Sequence, residues 1–241
     1  MKYSIMTDRG ILRETNQDNC MAACPDSDSC FAVVCDGMGG AKAGDVASEI
    51  AVKTISERMA ASWRKNMSNE SVINLLSTAI TAANILIFDR AAEEPELSGM
   101  GTTVVAAVVI GDRLVVAHAG DSRAYAFTDG LVQLTKDHSL VQDMVDAGMI
   151  TAAQAQVHPN RNYITRALGV SEKIEIEFSE FPFDEQEKIL LCSDGLTNFV
   201  GEREIEEMLA SGDDEHMAQR LVAAANRHGG GDNITAVVIT R

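Results

Sequence analysis

Hydrophobic positions change period several times along this chain. Phe31-Ala32-Val33-Val34-Cys35 is an unbroken apolar run of strand length that stops at Asp36-Gly37. From about 45 to 64 the spacing turns helical, with Val46, Ile50, Ile55 and Met59 recurring at three- to five-residue intervals. From about 70 to 92, Val72, Leu76, Ala79, Ala83 and Leu86 fall on one face of a second helix. Two hairpins follow: 103–110 turns at Gly111-Asp112 into 114–119, and 122–127 turns at Asp129-Gly130 into 131–134. Ile174, Ile176 and Phe178 alternate as a strand, and Ile189-Leu190-Leu191-Cys192 reads as a buried one. Helices are predicted near 202–210 and 214–228, the second ended by Gly229-Gly230-Gly231, before a last strand over 234–240.

Residues 138–171 interrupt this order. Leu140, Val141, Met144 and Val145 predict a short helix stopped by Gly148, and Thr151-Ala152-Ala153-Gln154 has capping-box spacing for another. With the loop-like His158-Pro159-Asn160, the segment reads as a flap inserted between strands. Hairpin-linked strands with paired helices before and after them predict an α+β fold of antiparallel sheets covered by helices, not a doubly wound parallel sheet. No linker, repeat or shift in composition divides the chain, so residues 1–241 read as a single domain.

Composition narrows the function. With 46% hydrophobic and 23% charged residues, the 241-residue chain is globular. Its net charge of −16 predicts no nucleic-acid or anionic-membrane partner, and it also repels a phosphorylated substrate unless something strongly positive sits in the site. The longest apolar run, 104–110, falls far short of the about 20 residues that span a bilayer. Residues 1–10 carry no signal-like apolar stretch. The expectation is a cytoplasmic protein whose five cysteines are reduced thiols.

One pattern answers the charge problem. Asp36, Asp121 and Asp194 each follow an apolar strand, and Asp232 precedes one, each beside a glycine or another small residue. An Asp-Gly pair taken alone is most often a turn, but a sheet can bring four strand ends together. Four clustered carboxylates stay ionised only with cations between them, and all-oxygen ligands select Mg²⁺ or Mn²⁺. Two such ions about 3.5–4 Å apart activate a water and clamp the oxygens of an in-line phosphoryl displacement. Arg13, close in sequence to Asp18, offers a planar fork for a phosphate.

Taken in order, seven stretches of this sequence resemble the PPM or PP2C-type metal-dependent Ser/Thr protein phosphatases in their compact bacterial form. They are Thr7-Asp8-Arg9-Gly10 with Arg13-x-x-Asn16-x-Asp18, Cys35-Asp36-Gly37-Met38-Gly39-Gly40, Gly101-Thr102-Thr103, Gly120-Asp121-Ser122-Arg123, Thr165-Arg166-Ala167-Leu168-Gly169, Ser193-Asp194-Gly195-Leu196 and Gly231-Asp232-Asn233-Ile234-Thr235. The resemblance implies a four-layer α/β/β/α sandwich with a flap at about 138–171. It implies that Asp36 bridges two metals, with Asp194 and Asp232 completing the first. The Gly37 carbonyl and, through water, Asp18 complete the second. Asp121 with Asp194 would hold a third, weaker ion. Arg13 would bind substrate phosphate, Asn233 would orient its neighbouring acid, and a metal-bridging hydroxide would attack phosphorus in line without a phosphoenzyme. Arg13, Asp36 and Asp194 are the implied catalytic residues, and Mn²⁺ or Mg²⁺ the cofactors. The implied partners are phosphorylated proteins, among them a cognate Ser/Thr kinase and its substrates, with the enzyme a monomer.

One departure stands out. Many family members carry a histidine, proposed as general acid, directly after Gly-Met-Gly-Gly, where this chain has Ala41. His138 and His158 are the candidate substitutes, and activity is expected to survive because the metal ligands and Arg13 are intact. A catalytically dead phosphoprotein-binding domain draws support only from Ala41. A Walker loop fails for want of Gly-Lys-Ser/Thr, and an aspartyl nucleophile for want of Asp-x-Asp at Asp36. Cys20, Cys24 and Cys30 lack zinc-ligand spacing.

Overall fold

The computed structural model describes residues 1–39 and 43–241, so Gly40, Ala41 and the departure at Ala41 lie outside the described residues. In chain order the elements are β1 (Lys2–Asp8), β2 (Asp18–Asp26), β3 (Ser29–Met38), α1 (Ala43–Ser62), α2 (Asn69–Glu93), β4 (Gly101–Thr102), β5 (Val104–Ile110), β6 (Arg113–Ala119), β7 (Arg123–Phe127), β8 (Leu131–Gln133), α3 (Leu140–Asp146), α4 (Ala152–Gln156), β9 (Glu177–Pro182), β10 (Lys188–Cys192), α5 (Asp194–Thr197), α6 (Glu202–Leu209), α7 (Met217–Arg227) and β11 (Ile234–Thr240). One antiparallel sheet has the order β1-β11-β10-β7-β8. The other has β2-β3-β5-β6-β9, with β4 paired to β3.

Three apolar layers explain why the core strands read as continuous hydrophobic runs. Along β3, Phe31, Val33 and Cys35 face α1 and α2, whereas Cys30, Ala32 and Val34 face the other sheet. Along β10 and β11, Leu190, Cys192, Ala236 and Val238 pack under α5, α6 and α7, while Ile189, Leu191, Val237 and Ile239 face inward. Both faces of each sheet are covered, so period-2 alternation disappears from its inner strands. The result is the expected α/β/β/α sandwich.

Several elements differ from expectation. β1 and β2 escape a pattern-based reading because they mix polar and apolar residues at a sheet margin. The strand expected at Ile174 begins only at Glu177, opposite His118, because β6 ends at Ala119 and offers no partner further on. Ile174 and Ile176 instead pack on the helix-side core. β3 runs past Cys35 to Met38 because Gly37 and Met38 pair with Thr102 and Gly101, so Asp36 lies within a strand and not after it. The flap forms as two short helices, and Thr151 makes the expected capping box with Gln154.

Two compositional expectations need correction. Cys24 and Cys30 are joined as a disulfide because the β2–β3 hairpin brings their Cα atoms to 4.1 Å; Cys20, Cys35 and Cys192 are free. The absence of a long uninterrupted apolar run also understated α2. This helix is long and apolar enough to cross a membrane by length and composition, with a mean hydropathy of 1.8 in its best window. Here its Val72, Leu76, Ala79, Ile80, Ala83 and Ile87 are buried in the core beneath it.

Candidate metal centre

Asp36, Asp121, Asp194 and Asp232 line a single cavity of about 270 Å³, together with Arg13, Gly37, Thr103 and Asn233. Asn162 and Ile164 of the flap form part of its wall. Asp18 lies behind it, directly opposite Asp36 in the β2–β3 register. Four acids scattered along the sequence, and a fifth beside them, are thus gathered at one end of the sandwich.

Each carboxylate is held by its own device. Asp36 is fixed through its backbone: its N–H donates to Thr103 Oγ1 (2.9 Å) and its carbonyl accepts from Thr102 Oγ1 (2.9 Å). The Thr103 hydroxyl also meets Ser122 Oγ at 2.7 Å, tying Asp36 to the residue after Asp121. Asp194 opens α5, and Asn198 Nδ2 donates to its Oδ2 at 2.9 Å. Asp232 accepts from its neighbour's backbone, Asn233 N–H, and from Arg13 Nη2, each at 2.9 Å. Asp18 Oδ2 accepts from both Ser193 Oγ and Thr235 Oγ1 at 2.7 Å. Thr235 Oγ1 in turn meets Thr7 Oγ1 at 2.7 Å, and Asn16 Nδ2 donates to Thr7.

These contacts sharpen one expectation and revise another. Asn233 meets Asp232 through its backbone N–H and not through its side chain. Its Oδ1 accepts from Gln17 N–H, and its Nδ2 donates to the Arg9 and Thr15 carbonyls, so it anchors the loop that carries Arg13. The orienting group is the Asn233 backbone. Neither His138 nor His158 lines the cavity: His138 Nδ1 faces Gly120 N–H and His158 Nδ1 faces Asn160 N–H. Reading the sequence for acids alone missed Thr7, Thr103, Ser193 and Thr235. Their signal was present as the hydroxyl residues inside the quoted stretches.

The electrostatics match a cation site. Burial, followed by the charges of Asp18 and Asp194, pushes Asp36 well above the ordinary 3.8. Burial raises Asp18 to about 7 against its two hydroxyl donors, and burial with the Asp194 charge raises Asp121 to about 7. Burial and then Asp232 raise Asp194. Asp18 Oδ1 is buried without a hydrogen-bond partner, which costs free energy unless a cation or water meets it. Crowded carboxylate oxygens with an unmet acceptor suit a hard divalent cation.

The comparisons agree with this geometry. The protein phosphatase 2C family profile matches residues 13–225. The chain is 40% identical over 246 residues to the serine/threonine phosphatase stp of Listeria innocua, covering 100% of this chain and 96% of that protein. It is 37% identical over 239 residues to the serine/threonine protein phosphatase PstP of Mycobacterium tuberculosis, covering 99% of this chain and 44% of that protein. A crystal structure of the M. tuberculosis phosphatase superposes with a TM-score of 0.89 at 36% identity, covering 98% of this chain and 97% of that one. The PstP catalytic domain in complex with 2 manganese ions superposes with a TM-score of 0.86 at 35% identity, covering 98% and 96%. This chain therefore belongs to the protein phosphatase 2C family and is a metal-dependent serine/threonine protein phosphatase whose substrates are phosphorylated proteins.

Proposed function

We propose that Asp36, Asp194 and Asp232 hold one divalent ion, and that Asp36 with the Gly37 carbonyl holds a second, Asp18 reaching it through water. Asp121 with Asp194 would hold a third, weaker one. The observation that carries this reading is the convergence of these carboxylates on one cavity, with a buried Asp18 oxygen left without a partner. Ions held there would supply positive charge for the incoming phosphate and lower the pKa of a water, which would serve as the nucleophile for in-line displacement at phosphorus, with no phosphoenzyme.

The protein's own groups do the rest. Thr102 and Thr103 fix the Asp36 backbone, so its carboxylate pays little to be oriented. Ser193 and Thr235 keep one Asp18 oxygen in place and leave the other directed elsewhere. Arg13 sits at the cavity wall against Asp232. Its guanidinium has further N–H groups with which to fork a substrate phosphate. Asn162 and Ile164 line the cavity, in keeping with a flap over 138–171 that shapes access to phosphoserine and phosphothreonine.

The whole chain acts in this reading as a single domain and as a monomer. It would reverse phosphorylation by a cognate Ser/Thr kinase and act on that kinase as well. A cytoplasmic location accords with the free thiols of Cys20, Cys35 and Cys192, while the Cys24–Cys30 link weighs against it. The deciding experiment is phosphatase activity on a phosphothreonine peptide against Mn²⁺ concentration, for wild type and Asp194→Asn. Activity should vanish with chelator and fall at least a hundredfold in the variant, as for loss of a principal electrostatic group. Activity that ignores chelator overturns the assignment.

A further inference from the structure

His138 lies between β8 and α3, at the root of the flap, and is buried. Its imidazole stacks on that of His118, with ring centroids 4.5 Å apart and planes 4° from parallel. Its backbone and its ring both grip Gly120, the residue before Asp121. The His138 N–H donates to the Gly120 carbonyl (3.0 Å), and the Gly120 N–H donates to His138 Nδ1 (3.2 Å). The His138 carbonyl accepts from Thr165 N–H at 2.8 Å, and the neighbouring Ser139 bridges to Ile164, which lines the cavity. Gly120 has a φ of +116°, and a Cβ there would come within 2.6 Å of Thr103, so this turn has little room to move.

His118, His138 and Glu177 place potential ligand atoms within 4.8 Å of one another, the spacing of a small metal site. The hydrogen bonds assign a different role. The Gly120 N–H needs a lone pair on His138 Nδ1, so the neutral ring carries its proton on Nε2, which faces Glu177 Oε2 at 3.2 Å. That proton occupies the position a metal would need. Arg166 Nη1, 3.1 Å from the same nitrogen, adds a positive charge there. Burial pushes the His138 imidazole below the ordinary 6.5, which favours the neutral ring.

We infer that His138 is a positioning residue that locks the Gly120–Asp121 turn to the returning limb of the flap, so that the Asp121 carboxylate and the cavity wall at Ile164 are held as one unit. His118 supports the ring from behind, its Nε2 donating to the Lys136 carbonyl at 2.9 Å, and Glu177 fixes the tautomer. The inference rests on the reading of Asp121 as a cation ligand proposed above.

The test compares His138→Asn with His138→Gln in the full chain. Asn carries its side-chain oxygen about as far from the backbone as Nδ1, whereas Gln carries it one atom further out. The first readout is hydrogen exchange at the Gly120 and Thr165 amides in the metal-free protein. The second is the Mn²⁺ concentration that half-saturates activity. Gln should speed Gly120 exchange and raise half-saturating Mn²⁺, each by about tenfold, with β10 and β11 amides unchanged. Asn should keep both within about threefold of wild type. Unchanged Gly120 exchange in the Gln variant, or equal impairment of the two variants, overturns the inference. Wild-type activity indifferent to Mn²⁺ would remove the cation reading of Asp121, a result the exchange measurement in metal-free protein does not share.

Discussion

Thr235 Oγ1 lies 2.7 Å from Asp18 Oδ2, joining the first residues of β11 to the first residue of β2 across the two sheets. This hydroxyl also receives the Thr7 hydroxyl, so Asn16, Thr7, Thr235 and Asp18 form a chain of donors that ends on a buried carboxylate. Thr235→Val keeps the shape and removes the donor. Asp18 would then retain only Ser193, and its carboxylate would be harder to ionise. The variant should lose about 1–3 kcal/mol of stability in urea unfolding and bind Mn²⁺ more weakly by calorimetry. Unchanged values in both would show that the chain of hydroxyls does not serve Asp18.

The raised carboxylates make the metal-free protein sensitive to pH in an unusual direction. Asp18 and Asp121 titrate at about 7 in the folded state against an ordinary 3.8. Between these values the native state therefore binds more protons than the unfolded chain, and stability falls as pH rises from about 4 to about 7. With the proposed ligands, affinity for Mn²⁺ should run the other way, because the ion would have to displace those protons. Urea midpoints in chelator from about pH 5 to about pH 8 should decline, and saturating Mn²⁺ should erase the decline. A metal-free midpoint that climbs over that range contradicts the carboxylate cluster.

Arg13 is bound to Asp232 at 2.9 Å yet remains 53% exposed, so its fork is tethered but reachable. Arg13→Ala should raise KM for a phosphothreonine peptide by about tenfold or more, the value of a charge-assisted hydrogen bond. Arg13→Lys should recover little of it, since an ammonium cannot reproduce two parallel N–H donors. Steady-state kinetics at saturating Mn²⁺ separate this from a metal defect; a KM unchanged in both variants would remove Arg13 from phosphate binding.

Gly10 couples the N-terminal loop to Asp232. Its φ is +78°, and a Cβ would stand 2.1 Å from the Asp232 carbonyl oxygen. Gly10→Ala should therefore cost at least about 1–2 kcal/mol from backbone strain alone. It should also raise half-saturating Mn²⁺, because relief of the clash displaces Asp232. Wild-type melting and metal dependence in this variant would mean the loop yields freely.

The acids that line the cavity were legible in the sequence because a charge beside an apolar strand is expensive and therefore conspicuous. Asp36, Asp121, Asp194 and Asp232 stood out this way, and the cavity gathers all four. The groups that orient them were harder to see. Thr103 and Thr235 are ordinary strand residues until a partner across the fold is known. Asn233 lies next to an acid in sequence, yet its side chain turns toward Arg9, Thr15 and Gln17. Local spacing identifies costly residues, whereas tertiary contact decides which neighbours relieve the cost. The same limit applies to β1 and β2, whose pairing partners lie at the far end of the chain or across a hairpin.

Asp18 and Asp36 belong to one sheet, whereas Asp194 and Asp232 flank β10 and β11 of the other. The apolar filling between the sheets gives way to acid where these residues meet. A cation drawn in from both sides would act as a rivet through the sandwich, so starvation for metal should loosen the body of the enzyme as well as silence it.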